Sequence, residues 1–340
     1  MTQDSRGWAQ EQVLPWAAAP LVSAAGYAAE LERLNASTFD IFVYDCRGGE
    51  VAVREKTLRH PVAYNDRIVH LRAELYRGLL QHALAARGLR QPLSLAMAVA
   101  DFPSAAPARG APMFGYQKRA GDPLILLPDP EFVENGFYAE EDEDISFRLS
   151  SEPKLNQVMF SGSSTGRILT EARVRDDDSE RLGYAARFLD HPHVRFTIGF
   201  AAECETPVAE AMLQAKPYFA MVDWQHQLLS RYVFSMDGNG ATCSRVMRVL
   251  RSRSVLLKLA SPHTLFYFSG LVPWRHYVPV ADADDLDRLS FEVVRSDFPA
   301  ELIADAANRF CRESLSAAEV VAYTGRVLEL FARHVLARMA

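Results

Sequence analysis

A chain of 340 residues is long enough for roughly two domains, at about 150 residues each, that bury separate cores. With 37 Lys+Arg against 43 Asp+Glu the net charge is -6, which excludes a global attraction to nucleic acid or anionic membrane and leaves any anion site local. Hydrophobic residues at 49% and 18 each of Gly and Pro exclude a mainly disordered or collagen-like chain.

The four cysteines, Cys46, Cys204, Cys243 and Cys311, lie far apart without a CxxC pair, so free structural thiols are expected rather than a zinc ribbon or a disulfide framework. No basic n-region precedes an apolar stretch at the N-terminus, and no apolar run reaches spanning length. These features together predict a reducing, cytoplasmic compartment.

Residues 1–35 carry Trp8, Trp16, Leu31 and Leu34 at helix-compatible spacing, and Pro15 and Pro20 are expected to break the stretch into one or two short helices. Core packing is favoured for the two tryptophans over a membrane-surface role, because few basic residues accompany them. Apolar segments on either side of Arg47-Gly-Gly read as a hairpin. The steps Ile68, Leu71, Leu75, Leu79, Leu80 and Leu84 predict a helix over 66–87. The run 93–100 reads as a buried strand ending at Asp101-Phe102-Pro103, and 124–127 repeats the pattern. An ionisable residue thus stands at a strand's C-terminal end, where open α/β sheets gather ligands.

The acidic run 140–144 and the residues to Pro153 mark a linker. Beyond it strands near 158, 194, 232, 254 and 276 alternate with helices over 168–189, 208–215 and 242–250, the rhythm of a parallel, helix-covered sheet. The last 55 residues read as helical. The expected divisions are 1–148, 149–312 and a terminal helix within 313–340 that packs back on the first domain.

Two strand-to-helix junctions carry the chemistry. Phe160-Ser-Gly-Ser-Ser-Thr-Gly-Arg167 offers small residues, hydroxyls and a helix N-terminus to a phosphate, without a Walker loop or a dinucleotide fingerprint. Asp237-Gly-Asn-Gly-Ala-Thr-Cys-Ser-Arg245 repeats the arrangement, with Arg245 in the first helical turn where a guanidinium grips a diphosphate. Either junction is also readable as a plain turn. In Pro273-Trp-Arg-His-Tyr-Val-Pro-Val280, His276 reads as a phosphate or sugar contact or, more commonly for such a turn, as a hydrogen-bonded structural residue. His191 and His193 form an HxH pair without a convincing third ligand, so no metal is expected.

The order of these segments, FSGSSTGR (160–167), RYVFSMDGNGATCSR (231–245), SVLLKL (254–259), LVPWRHYVPV (271–280) and DDL (284–286), resembles glycosyltransferase family 90. Upstream, ADFP (100–103), FGYQK (114–118) and LILLPD (124–129) look like the family's first-domain signatures in the same order. The resemblance implies a GT-B fold, two Rossmann-like α/β domains facing across a cleft, and an inverting, metal-independent transfer from a UDP-sugar with no cofactor. By position it implies Asp101 as the catalytic base and Arg245 as the donor-phosphate arginine. It places Ser161, Gly162, Ser163, Ser164, Thr165, Asp237, Gly238, His276 and Tyr277 on the donor side. Phe102, Phe114, Tyr116 and Lys118 fall on the acceptor or sugar side. Many members carry arginine within the first loop where this chain has Ser161 and Ser164, and Arg167 is expected to supply that charge. The acidic residue often found shortly before the PW-HY segment is missing, the chain reading His263-Thr-Leu.

The features separating this chain from secretory-pathway members point to a bacterial-type enzyme that transfers xylose or glucose to lipopolysaccharide core or O-antigen. A lipid-linked or polysaccharide acceptor would bring it into peripheral contact with the inner membrane, and no nucleic-acid partner is expected. Two other classes stay open at this stage: a nucleotide-sugar-binding protein with little turnover, and a metal-dependent hydrolase or phosphotransferase on a Rossmann-like sheet.

Overall fold

The computed structural model describes residues 5–138, 154–241 and 243–339. The chain is mixed α/β and divides into two compact units, the first made of residues up to Phe137, Pro262–Gly270 and Glu313 onward, the second of Tyr138–Ser261 and Leu271–Arg312. The acidic run 140–144 and the expected boundary at 148/149 lie outside the described residues.

In the first unit α1 (Ser5–Ala18) runs straight through Pro15, where a break is expected from sequence. Proline removes one helical hydrogen bond, but burial of Trp8, Ala9, Val13 and Trp16 on one side holds the helix together. Trp8 packs edge-to-face on Phe266, so both tryptophans serve the core. After α2 (Ala24–Ser37), β1 (Ile41–Arg47) and β2 (Glu50–Val53) form the expected antiparallel hairpin. α3 (Ala63–Arg87) buries Val69, Ala73, Tyr76, Leu80 and Leu84, and Gly88 at φ +63 ends it in the left-handed conformation.

β3 (Leu93–Ala98), β4 (Met113–Gly115) and β6 (Leu124–Leu126) are mutually parallel, and β1 joins β3 antiparallel, which gives the order β2-β1-β3-β4-β6. This sheet is therefore mixed. β5 (Gln117–Arg119) pairs with β11 (His263–Leu265) as a separate antiparallel ribbon. The short α4 (Pro130–Glu134) and the late helix α12 (Ala317–Phe331) belong to this unit: Tyr323 Oη donates to Leu126 O at 2.8 Å and Phe331 meets Phe114 edge-on.

Asp45 ties three segments of this sheet together. Its Oδ2 accepts Arg54 Nε at 2.8 Å, and its Oδ1 accepts Arg54 Nη2 at 2.9 Å and Ser94 Oγ at 2.5 Å. The Arg54 guanidinium, helped by the Ser94 hydroxyl, holds its carboxyl below the usual carboxylate range. A depressed folded-state pKa gives stability that is present above the unfolded pKa and lost as pH falls through the folded one. Asp45→Asn is therefore expected to cost about 2 kcal/mol at neutral pH. That difference from the parent should close as pH drops below the ordinary carboxylate range, as urea melts over a pH series would read.

The second unit is an all-parallel sheet of order β12-β10-β9-β7-β8, formed by β7 (Leu155–Ser163), β8 (Val194–Phe200), β9 (Ser230–Ser235), β10 (Val255–Leu259) and β12 (Val278–Val280). Every neighbouring pair is parallel. Helix α7 (Pro207–Gln214), the one-turn α8 (Trp224–Gln227), α9 (Cys243–Leu250), α10 (Ala283–Val293) and α11 (Ala300–Ser314) lie between and after the strands. The helix expected over 168–189 is two, α5 (Glu171–Arg175) and α6 (Glu180–Arg187). Asp176, Asp177 and Asp178 separate them, Asp177 adopts φ +51, and the Ser179 side chain caps α6 by accepting from Leu182 N.

Candidate active site

In the first unit Asp101 lies three residues beyond the C-terminal end of β3 with its side chain 41% exposed. Its Oδ1 accepts the Tyr116 hydroxyl and faces Arg72 Nη1 at 3.5 Å, while Gln117 Nε2 donates to its backbone carbonyl at 2.5 Å. Arg72 is fixed in turn by donating to Val99 O at 3.0 Å and by lying over the Tyr116 ring. Among the described residues nothing hydrogen-bonds Oδ2. The carboxylate is thus held by one oxygen and presents the other, the arrangement a proton acceptor needs.

Residues expected beside Asp101 divide sharply. Phe102 is half exposed, with the Arg119 guanidinium over its ring at 5.5 Å and the His263 ring tilted against it at 5.9 Å. Arg119 Nε donates to His263 Nε2 at 3.0 Å, so the residue standing where an acid is often found supports this aromatic platform. Tyr116 is buried and spends its hydroxyl on Asp101. Lys118 spends its amino group on Gln12 Oε1 and Leu124 O. Phe114, with no exposure, is a core residue packed edge-on against Phe331.

In the second unit the two junctions meet at the carboxyl ends of the strands. β7 runs on through Ser161, Gly162 and Ser163, with a bulge against β8 at Gly162/Ser163. The next helix starts only at Glu171 and is capped by Thr170, so no helix N-terminus serves this loop. A cation serves it instead. Arg181, buried on α6, donates through Nη1 to Ser163 O at 2.7 Å and to Thr165 Oγ1 at 3.1 Å, and through Nε to Asp237 O at 3.1 Å. Arg167 points elsewhere, pairing with Asp178 at the surface. Ser164 is fully buried, its hydroxyl donating to Ala202 O and accepting from Ala202 N.

Arg245 begins α9 and turns inward, only 6% exposed. Nη1 donates to Gln227 Oε1 at 3.0 Å and Nη2 to Ser161 O at 2.7 Å, while the guanidinium lies 4.4 Å from the Phe160 ring centre and 4.9 Å from that of Trp224. Among the described residues no carboxylate pairs with it, and Nε has no hydrogen-bond partner. Burial, reinforced by the charge of Arg181, pushes its pKa down to about 9; Arg181, with Asp237, Glu180 and Glu203 nearby, falls only to about 10. Both guanidiniums lie over the ring of Phe160.

Two glycines make this approach feasible. A Cβ on Gly162 would stand 3.0 Å from Arg245 Nη2 and 2.9 Å from Phe160, and one on Gly238 would stand 2.8 Å from Arg181 Nη2 and 2.6 Å from Thr165 Oγ1. Asn239 and Glu203 bind the two loops together: Gly166 N donates to both, and Asn239 Nδ2 donates to Glu203 Oε1 at 2.6 Å.

Beside this cluster an open pocket of about 530 Å³ lies at the ends of β10 and β12, lined by Lys258, Ser261, Trp274, Tyr277 and Asp285 among others. Ser261 Oγ donates to Asp237 Oδ2 at 2.5 Å, which joins the pocket to the arginine pair. Burial holds the Lys258 ammonium below the ordinary lysine range. Trp274, half exposed, adopts φ +63 and donates its N–H to Tyr277 O at 2.7 Å. That left-handed turn presents Trp274 and Tyr277 to the pocket and sends His276 inward. His276 is buried, stacked on Phe310 at 4.9 Å and accepting Val272 N–H on Nδ1. His191 is likewise committed, contacting Asp287 through Nε2 and accepting the His193 and Val194 N–H groups on Nδ1.

Residues 188–339 match the model of Glycosyl transferase family 90. This match supports membership of glycosyltransferase family 90. Members of such a family use a nucleotide-sugar donor and an acceptor, which is what the match implies here. The match takes in Asp237, Arg245 and the Pro273–Val280 turn, whereas Asp101, the 160–167 loop and Arg181 lie outside it and stand on their geometry. Sequence reasoning missed Arg181, Lys258 and Trp274: the first looks like one more cation on an amphipathic helix, and only the fold joins it to Thr165 and Asp237. No helix among the described residues is long and apolar enough to cross a membrane.

Proposed function

We propose that this glycosyltransferase is a bacterial-type, inverting enzyme of GT-B arrangement that transfers a sugar, xylose or glucose, from a UDP-sugar without a metal. The acceptor is a hydroxyl of a cell-surface glycan such as lipopolysaccharide core or O-antigen, modified at the cytoplasmic face. The observation that carries the donor half is Arg245, a buried guanidinium without a carboxylate partner among the described residues. Leaving such a charge uncompensated is costly, and an arriving diphosphate at the carboxyl ends of β7 and β9 supplies the missing anion. Arg181 takes the place proposed from sequence for Arg167. Ser163, Thr165 and Gly238 shape the loop around the phosphates, and the pocket beside Asp237, with Trp274 and Tyr277, receives the rest of the donor.

In the transfer, the acceptor O–H gives its proton to the Asp101 carboxylate as its oxygen bonds to the anomeric carbon. The bond from that carbon to the diphosphate breaks on the opposite face, and UDP leaves with the electron pair. The leaving diphosphate gains charge as the bond breaks, so Arg245 and Arg181 stabilise the transition state more than the bound donor. Phe102, carried on Arg119 and His263, offers the sugar or acceptor an apolar face.

Calorimetric titration and melting with UDP, UDP-xylose, UDP-glucose, GDP-mannose and CMP, each with and without EDTA, test this reading. UDP and one UDP-sugar are expected to bind equally well in EDTA. At about 100 times Kd they should add about 2.7 kcal/mol of stability. Binding of another nucleotide, or binding abolished by EDTA, overturns the donor or the metal-independent chemistry respectively. Donor binding without turnover on any glycan overturns transfer.

A further inference from the structure

A buried guanidinium is ordinarily neutralised by a carboxylate, and the place where one would stand beside Arg245 is filled by Gln227. Gln227 is 3% exposed and ends the one-turn α8, from which Trp224 and Gln227, three residues apart, both reach Arg245. Its Oε1 accepts Arg245 Nη1 at 3.0 Å and Ser161 N at 3.3 Å, while its Nε2 donates to Val222 O at 2.8 Å. The Val222 carbonyl thus fixes which end of the amide faces the arginine. Ser161, expected from sequence on the donor side, is spent on the same arrangement: its carbonyl accepts Arg245 Nη2 at 2.7 Å and its hydroxyl accepts Val222 N at 3.3 Å. The guanidinium is held at both Nη atoms, yet the two oxygens that hold it are neutral. The acids of this region, Asp237, Glu180 and Glu203, act on Arg181, and the charge that acts on Arg245 is the like charge of Arg181.

We propose that Gln227 is a positioning residue for the donor diphosphate: it orients Arg245 through an uncharged acceptor, so that the positive charge stays available to the incoming anion. A glutamate has the same reach and would accept the same two hydrogen bonds, forfeiting only the one given to Val222 O. It would also neutralise the guanidinium and set a carboxylate beside the phosphates. Amide and carboxylate therefore build nearly the same bridge and opposite anion sites. A cation oriented before the anion arrives needs no rearrangement as the leaving diphosphate gains charge, which is the use of holding it so firmly. The inference rests on the nucleotide-donor reading for the identity of the anion and not for the anion site itself.

Calorimetric titration of the full chain with inorganic pyrophosphate and with UDP, beside ligand-free melting, compares the parent with Gln227→Glu and Gln227→Leu. Gln227→Glu should raise the Kd for both anions about 30-fold or more, and Gln227→Leu, which removes the bridge without adding charge, about fivefold. A purely structural bridge reverses that order, because glutamate keeps the contacts with Arg245 and Ser161 that leucine loses. Affinity near the parent's in folded Gln227→Glu, or an equal or larger loss in Gln227→Leu, overturns the proposal. Failure of Gln227→Glu to fold overturns it too, since the position would then not take a carboxylate in place of the amide. A parent that binds pyrophosphate and not UDP overturns the nucleotide-donor reading alone, the order of the two variants then being read with pyrophosphate. A parent that binds neither overturns both.

Discussion

Asp101→Asn is expected to lower turnover by about 100-fold or more while leaving UDP affinity unchanged. Asparagine fills the same space and can still receive the Tyr116 hydroxyl, so the change removes proton affinity rather than shape. The proposed donor contacts, Arg245 and Arg181, belong to the second unit and Asp101 to the first. Steady-state turnover beside calorimetric UDP titration reads both quantities. Turnover within a few-fold of the parent would remove Asp101 from the base role. A matched loss of UDP affinity would instead make Asp101 part of the donor site. Tyr116 and Arg72 act through Asp101 as positioning residues. Both contact the same oxygen, so their removal should disturb the pH profile of turnover before it disturbs donor affinity.

The place of Asp101 is legible in sequence because a buried apolar run followed by Asp-Phe-Pro marks the carboxyl end of a strand. Its partners are not legible: Tyr116 lies 15 residues away and Arg72 lies 29, and only the packing of α3 beside the β3–β4 loops joins them. The parallel sheet of the second unit is readable from its strand–helix rhythm. The first unit is harder, since β4, β5 and β6 have three residues each and carry almost no periodicity, and its β1–β2 hairpin turns the sheet mixed. At the candidate site the misreadings have local backbone causes. An unbroken helix over 168–189 hides the turn at Asp176–Ser179, after which α6 carries Arg181 onto the strand ends. A single left-handed residue, Trp274, exchanges which ring of the Pro273–Val280 turn faces the pocket, putting Trp274 outside and His276 in the core.

Arg245→Met is expected to raise the Kd for UDP about 30-fold or more, through loss of charge-assisted contacts worth about 2 kcal/mol. The same variant should melt no lower than the parent without ligand. Holding the guanidinium charged where burial draws its pKa down to about 9 costs on the order of 5 kcal/mol. The hydrogen bonds to Gln227 and Ser161 that methionine forfeits return about 1–3 kcal/mol. The charge cost is the larger, and methionine keeps the contacts with Phe160 and Trp224. A parent that gains stability from UDP and a variant that starts as stable but gains none would mark Arg245 as an ionic site held in readiness for an anion. A variant that melts lower and still binds UDP would make Arg245 a structural bridge between Gln227 and Ser161, and Arg181 would become the remaining candidate for the phosphate grip.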